Sequence, residues 1–467
     1  MRGFGINYDV GFSSGGTTTH EPFDPDVVRR EMQIIRDDLH CDAVRITGAD
    51  PDRLEIAARH AAAAGLEVWY CPFTNGLTSD GLMRLLVDGA ERAERLRRAG
   101  AGVVFLTGSE ISLFNGDFVP GDTHVERLRA LTDAERRAVT IGEARVRVNA
   151  FLARAVAEVR QRFGGRVSYA SLPFEGVDWS PFDVIATDAG YYDATTAPGF
   201  RDGLRTQTRA GKPFAVTEFG CAAYVGAADR ASRGDQIVEY DEHARPIRLT
   251  ETVVRDEDEQ ARYVRNGLEI YDEAGVDAAF VYTFARWDLP ASADPERDYD
   301  TASYGVVKVL DRGRTGTTYP GLPWEPKAAF RALAAYGGAR KAASAVHEQG
   351  RVAGPTITGW IAGPAIRSSG EGLADVLHPA EPDRELPVAV RMDDHHEVAV
   401  DDVVAARETD VGQLDGNGVV AVQLEDPGAV RQEDQAHGAG GIANDRLVIA
   451  RIGVPDDQQA LEVLDLR

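Results

Sequence analysis

Two glutamates in this sequence stand where an apolar run stops. GVVFLT (102–107) is followed by Gly108, Ser109 and Glu110, and PFAVT (213–217) runs straight into Glu218. A carboxylate beside a buried strand is costly to desolvate unless something pairs with it or uses it. Two carboxyl groups facing one cleft can share nucleophilic and acid–base work, the ionised one attacking and the protonated one donating. Arg45, in the run DAVRIT (42–47), is a cation at another such strand end. Beside Arg45, Glu218 is expected to have its pKa lowered and stay ionised, while the less paired Glu110, near the Glu218 charge, keeps its proton. Other polar residues follow the same pattern. Asn7 and Asp9 end the first run, and Asp188, Tyr191 and Tyr192 follow FDVIAT (182–187). Arg286, Trp287 and Asp288 follow AAFVYTF (278–284), and Glu175 and Asp178 are loop acids near the same ends.

Eight such runs bring these residues together: 3–9, 42–47, 66–71, 102–107, 166–171, 182–187, 213–218 and 278–284. Continuous apolar runs of this length suit parallel strands covered on both faces. Helical periodicity lies between most of them. Val28, Met32, Ile35 and Leu39 share a face behind Pro25, and Ala261, Val264, Leu268 and Tyr271 share another. TDAE (132–135) reads as a capping box opening a long helix, and a last helix is expected from Pro326 to Tyr336. Alternating strands and helices of this number predict an α/β fold, a (β/α)8 TIM barrel, which takes roughly 250 residues and carries its site at the C-terminal strand ends. PFEGVDWSP leaves little room for a helix between the fifth and sixth strands. An open doubly wound sheet would want a glycine-rich phosphate turn, but GFSSGGTTTH (11–20) lacks the GxGxxG spacing and no helix starts at its last glycine.

The net charge of −24, from 51 basic and 75 acidic residues, argues against nucleic acid or an anionic membrane as partner. Three cysteines without a CxxC pair, and histidines without metal spacing, predict no disulfide framework, no metal and no cofactor. With neither a secretion leader nor a membrane-length apolar stretch visible, the expected location is the cytoplasm. Residues 1–345 are assigned to the barrel and 346–467 to an acidic tail, largely disordered or a minor β appendage. From Ile361 onward there is no Phe, Tyr, Trp, Lys or Cys, and 22 acids face 8 arginines. RLVIARIGV (446–454) could still form a strand. Connections 111–132, 220–255 and 288–323 are long enough to wall a pocket over the strand ends, favouring a small substrate over an open polymer groove. The acids of ADPERDYD (293–300) could hold a cation but suit a solvated loop better. Trp69, Tyr70, Phe73, Phe114, Phe118, Trp179 and Tyr224 are aromatic candidates for stacking on a sugar.

KPFAVTEFG (212–220) resembles the nucleophile strand, and FLTGSE the acid/base strand, of the retaining (β/α)8 glycoside hydrolases of clan GH-A. The resemblance implies a double displacement on a carbohydrate substrate, Glu218 as nucleophile and Glu110 as general acid/base. It also implies Arg45 supporting the nucleophile, Tyr191 or Tyr192 hydrogen-bonding it, and Trp287 as a sugar platform. The clan usually has Asn where Ser109 stands, which implies an unusual glycone. Over its full length, including DYDTASYGVVKV (298–309), the chain also resembles bacterial barrel proteins labelled abortive phage infection proteins. Two other functions are compatible with a barrel: a non-catalytic glycan- or partner-binding module, and a metal-dependent lyase or isomerase. The second wants acids at successive strand ends and a Lys or His base. Here the third and fifth runs end in Cys71 and Ser171, and no Lys lies at a strand end.

Overall fold

All eight runs form strands in the computed structural model: β1 Gly3–Asp9, β2 Ala43–Gly48, β3 Glu67–Pro72, β4 Val103–Ser109, β5 Arg166–Ala170, β6 Ile185–Thr187, β7 Phe214–Phe219 and β8 Ala278–Val281. The structure describes residues 1–352 except 15, 242 and 312, together with 419–423, 447–451 and 463–466. The strands make one parallel sheet in the order β5-β4-β3-β2-β1-β8-β7-β6. Its two edges meet through a parallel bridge from Ser171 to Thr187. Serine hydroxyls reinforce this seam, Ser168 donating to Val184 O at 2.9 Å and Ser171 to Ala186 O at 2.8 Å. The result is a closed (β/α)8 barrel.

Helices α1 Pro25–Asp37, α2 Pro51–Ala63, α3 Ser79–Arg98, α4 Arg137–Arg160, α5 Ala197–Thr208 and α6 Glu257–Ala274 pack outside, and α7 Ala328–Val352 follows β8. Asp24 caps α1 ahead of Pro25, whose missing N–H is no loss at that position. Between β5 and β6 there is only a 3-10 turn, Pro173–Glu175, as the short PFEGVDWSP connection predicts. The expected TDAE capping box does not form. Thr132 donates to Leu128 O and ends the short helix His124–Thr132, and Asp133 instead accepts from the N–H groups of Glu135 and Arg136. The capping box is formed one helix earlier, by Thr123 and Glu126. The last helix also runs past the expected Tyr336.

Side chains alternate between two cores. Outward residues such as Ile6, Val44, Val68 and Phe105 pack against the helices, while Ala43, Trp69, Leu106, Ala215 and Phe280 fill the barrel interior. Trp69 and Phe280 lie 4.8 Å apart there, and a Cβ on Gly5 would come within 2.6 Å of the Phe280 ring. Two residues further along the same inward faces stand Asn7, Arg45 and Cys71, the layer below the mouth. Twice the alternation is broken. Between Leu106 and Ser109, β4 carries one more residue than β5, and between Val216 and Phe219, β7 carries one more than β8. A bulge of this kind re-aims the side chains beside it. These two precede or contain Glu110 and Glu218.

The chain divides into two units, Met1–Gly359 and Trp360–Arg467. In the second, Val419–Gln423, Leu447–Arg451 and Val463–Leu466 form an antiparallel sheet whose middle strand comes from RLVIARIGV. The expected disorder of the rest of the tail falls outside the described residues. Among the described residues no helix is long and apolar enough to cross a membrane.

Candidate active site

Arg45 is fully buried, and its two Nη groups find partners while its Nε–H has none among the described residues. Its Nη1 donates to Glu218 Oε1 at 2.8 Å, Asp188 Oδ1 at 3.1 Å, Asn7 Oδ1 at 3.1 Å and Thr217 O at 3.2 Å. Its Nη2 donates to Ser109 Oγ at 2.9 Å and Asp188 Oδ2 at 3.4 Å. Ser109 in turn donates to Asp188 at 2.7 Å, and the Asn7 amide donates to Thr217 O at 2.8 Å. Burial opposes the charge on Arg45, and the surrounding anions, Asp188 foremost, more than restore it. Five of the predicted residues thus form one network: Asn7, Arg45, Ser109, Asp188 and Glu218.

The network corrects one expectation. The Glu218 carboxyl is raised to about 8 and not lowered: burial pushes it up and the Asp188 charge adds to this, outweighing Arg45. The guanidinium cannot hold Glu218 ionised by itself because it is shared with Asp188. Glu110 is raised further, well above the carboxylate range, by burial first and then by Asp188, Glu218 and Glu175, with Arg45 opposing.

Glu110 has left-handed backbone (φ 46°), a conformation disfavoured without glycine, and its N–H donates to Ala170 O at 3.0 Å. What holds it there is a buried clamp. Glu175 accepts from the Tyr169 hydroxyl at 2.8 Å and the Ser112 hydroxyl at 2.6 Å, and Tyr169 accepts from the Ile111 N–H at 2.9 Å. The turn Ile111–Phe114 is therefore fixed directly after Glu110. Glu175 was read as a loop acid near the mouth. It is fully buried, and burial raises its carboxyl to about 7. Arg127, also buried, closes the segment by donating to the Leu113, Phe114 and Gly121 carbonyls at 2.7, 2.9 and 2.9 Å.

Above this lies a cavity of about 1560 Å³ over the strand ends, walled by the three long connections. Asp9, Glu110, Asp188, Tyr191, Tyr192 and Glu218 line it, while Arg45 and Ser109 lie beneath. Asp9 accepts from the Gly11 N–H and the Thr19 hydroxyl, and burial raises it to about 6. Tyr192 stacks on Tyr263 at 4.7 Å, leaving Tyr191 as the tyrosine of this pair whose phenol is raised by burial and then by Glu218. Trp287 is not among the lining residues; its indole stacks on His20 at 4.5 Å. Strand eight instead contributes Tyr282 to the cavity, because β8 ends at Val281 and not at residue 284. Arg286 lines the cavity held between Asp288 at 2.8 Å and Asp235 at 3.2 Å. Of the aromatic candidates only Phe73 and Phe114 reach the cavity; Trp69 is barrel core and Phe118 packs on Phe151.

Among the described residues no group of His, Cys, Asp and Glu is arranged to hold a metal ion. The ADPERDYD acids are not a cation site either: Asp298 and Asp300 pair with Arg255 at 2.8 and 2.7 Å, and Asp300 also with Lys327 at 3.3 Å.

The fold and this mouth define a (β/α)8 barrel with a carboxylate-lined cavity at the C-terminal strand ends. No family model and no curated protein sequence matches the chain. Solved structures do. A GH113 beta-1,4-mannanase is 16% identical over 72% of this chain and 99% of its own, at a TM-score of 0.46. The GH113 beta-mannanase AaManA from Alicyclobacillus acidocaldarius is 18% identical over 72% and 96%, at 0.46. A beta-glucuronidase from Parabacteroides merdae is 14% identical over 72% of this chain and 36% of its own, at 0.44.

Proposed function

We propose that the protein is a retaining glycoside hydrolase with Glu218 as nucleophile and Glu110 as general acid/base, needing no cofactor. The observation that carries this reading is the unequal environment of two buried carboxyl groups in one cavity. Glu218 accepts from Arg45 at 2.8 Å, whereas Glu110 makes no ion pair among the described residues and is raised further, by burial and then by Asp188, Glu218 and Glu175 against Arg45. With one cation shared by Asp188 and Glu218, the proton stays on Glu110 while Glu218 ionises first.

In the first step the Glu218 carboxylate forms a bond to the anomeric carbon. The bond from that carbon to the leaving oxygen breaks, and Glu110 gives its proton to that oxygen. In the second, Glu110, now a carboxylate, takes a proton from water, whose oxygen bonds to the anomeric carbon as the glycosyl ester breaks and Glu218 is released. Arg45 and Asp188 move no proton in either step; they orient Glu218 and fix its charge.

Nitrophenyl glycosides of hexoses, pentoses and uronides would identify the glycone. A matched 2-deoxy-2-fluoro glycoside should then leave a stoichiometric glycosyl adduct on Glu218, found by mass spectrometry of peptides. An inverted product, or an adduct elsewhere, sinks the assignment. A Glu218→Gln variant with full biological activity would favour a binding module.

A further inference from the structure

The cavity has two unlike halves. In an eight-stranded barrel closed as this one is, β4 stands opposite β8. The connections after β3, β4 and β5 raise a mainly apolar wall that includes Phe73, Phe114, Leu128, Leu131, Ile141 and Phe174, with Asn75, Asp122, His124 and Arg137 as its polar side chains besides two threonines. Phe12, from the first connection, completes a cluster with Phe73 and Phe114 at centroid distances of 4.8, 5.3 and 5.1 Å. On the helix His124–Thr132, Val125 and Leu128 remain 43% and 47% exposed while lining the cavity, so part of this wall has no cover from the rest of the barrel. The hydroxyl of Thr132 on this wall is spent on its own helix, and that of Thr123 is held in its capping box. The wall after β7 and β8 is polar: Arg230, Arg233, Asp235, Tyr240, Arg286 and Asp288.

The two glutamates divide along the same line. Glu110 is followed directly by Leu113 and Phe114 of the apolar wall, and Glu218 lies on β7, beside the polar one. Resting on the glycosidase reading above, we infer that the apolar half is the leaving-group site, and that the substrates are glycosides of apolar or aromatic alcohols. The proton donor must reach the oxygen of the bond that breaks, so the group carried by that oxygen lies on the Glu110 side. A second sugar there would bring several hydroxyls against a wall where apolar side chains outnumber Asn75, Asp122, His124 and Arg137, and unpaired polar groups are costly to bury. An alkyl or aryl group covers Leu128 and the phenylalanines and gains from it. As Glu110 protonates the oxygen and Glu218 takes the anomeric carbon, the product released from this half is the free alcohol.

The test compares methyl and hexyl glycosides of whichever glycone the nitrophenyl screen selects. Their leaving alkoxides are equally basic, so any difference is binding. Each methylene withdrawn from water is worth roughly fourfold at full burial, and hexyl should exceed methyl at least tenfold in kcat/KM. Leu128→Asp, on an exposed helix face, should bring that ratio below threefold with an unchanged melting temperature. A readout independent of turnover is the fluorescence of 2-naphthol, which should bind saturably and at least tenfold more weakly to Leu128→Asp. Equal hexyl and methyl rates, a better disaccharide of the same glycone, or naphthol binding indifferent to Leu128→Asp overturns the inference while leaving a Glu218 adduct intact. Naphthol binding as expected without any adduct on Glu218 overturns the glycosidase reading, and the leaving-group role with it.

Discussion

Asp188 governs the charge of the site more than its distance from the reacting atoms suggests. Its carboxylate takes both arms of the Arg45 guanidinium and the Ser109 hydroxyl, which leaves Glu218 a half-share of the cation; burial first, and the Asp188 charge after it, raise Glu218 to about 8. The proposed mechanism needs Glu218 ionised and Glu110 protonated, so kcat/KM should rise through an acid limb near pH 8 and fall again at higher pH, with apparent values that belong to the pair. In Asp188→Asn one anion disappears, Arg45 is left to Glu218, and the limb should move to lower pH. The asparagine still accepts from Arg45, so a stability loss of about 1–3 kcal/mol is expected. A limb that stays in place in the pH profile would show that Asp188 does not set the Glu218 pKa.

At the scale of elements, the acid is only as well placed as the turn behind it. Glu175→Gln keeps the size of the side chain but cannot accept from Tyr169, Ser112 and the Leu172 N–H as a carboxylate does. With Ile111–Phe114 loosened, kcat should fall roughly tenfold to a hundredfold for alkyl leaving groups, with KM little changed and nitrophenyl substrates much less affected, because they need no proton. Equal losses for both substrate types would point to a merely structural role. The barrel was legible from eight apolar runs because strands covered on both faces leave an unbroken apolar trace. Glu110 and Glu218 were legible because they stand where those runs stop, and Arg45 because it is a lone cation inside one. What escaped was local backbone geometry. Gly108, at φ 108°, is the one written trace of the β4 bulge, and the β7 bulge has none. Tyr282 is hidden inside AAFVYTF because the strand ends at Val281, three residues before the apolar run does, and the stacking of Trp287 on His20 joins segments that the sequence does not place together. Glu175 looked like an exposed loop acid since its partners, Tyr169 and Ser112, lie on other elements.

For the whole molecule, the buried carboxyl groups make stability depend on pH in an unusual direction. Glu31, hydrogen-bonded to Tyr8 and Trp324, is raised by burial to about 7, as is Glu175, and Glu218 to about 8. A group whose folded pKa lies above its unfolded one stabilises the fold while protonated, and that contribution is lost as pH rises through the folded value. His20 acts oppositely, lowered by burial to about 4, but only below about pH 6.5, where it would be charged when unfolded. Between pH 6.5 and 8.5 the melting temperature should therefore fall, and the growing self-repulsion of a chain at −24 adds to it. A flat or rising profile over that window would contradict the burial of these acids.

The seam between β5 and β6 has a mechanical consequence. Elsewhere the barrel is stitched by ladders of paired strand residues, but here by one bridge, by backbone bonds from the N–H groups of Asp183, Ser171 and Asp188 to Val167 O, Ala186 O and Ser171 O, and by the hydroxyls of Ser168, Ser171 and Thr187. Glu110 hangs from Ala170 on one side of the seam, and the Asp188 N–H donates to Ser171 O across it at 3.0 Å. Amide hydrogen exchange should be fastest, within the barrel strands, at residues 166–171 and 185–188, and slow elsewhere. Each breath of the seam would unhook Glu110 and slacken Asp188 together, so the molecule carries a hinge line through the cavity that holds both glutamates. A ligand bridging Glu110 and Glu218 would act as a rivet, and protection gained at the seam on binding would report occupancy of the site without any turnover.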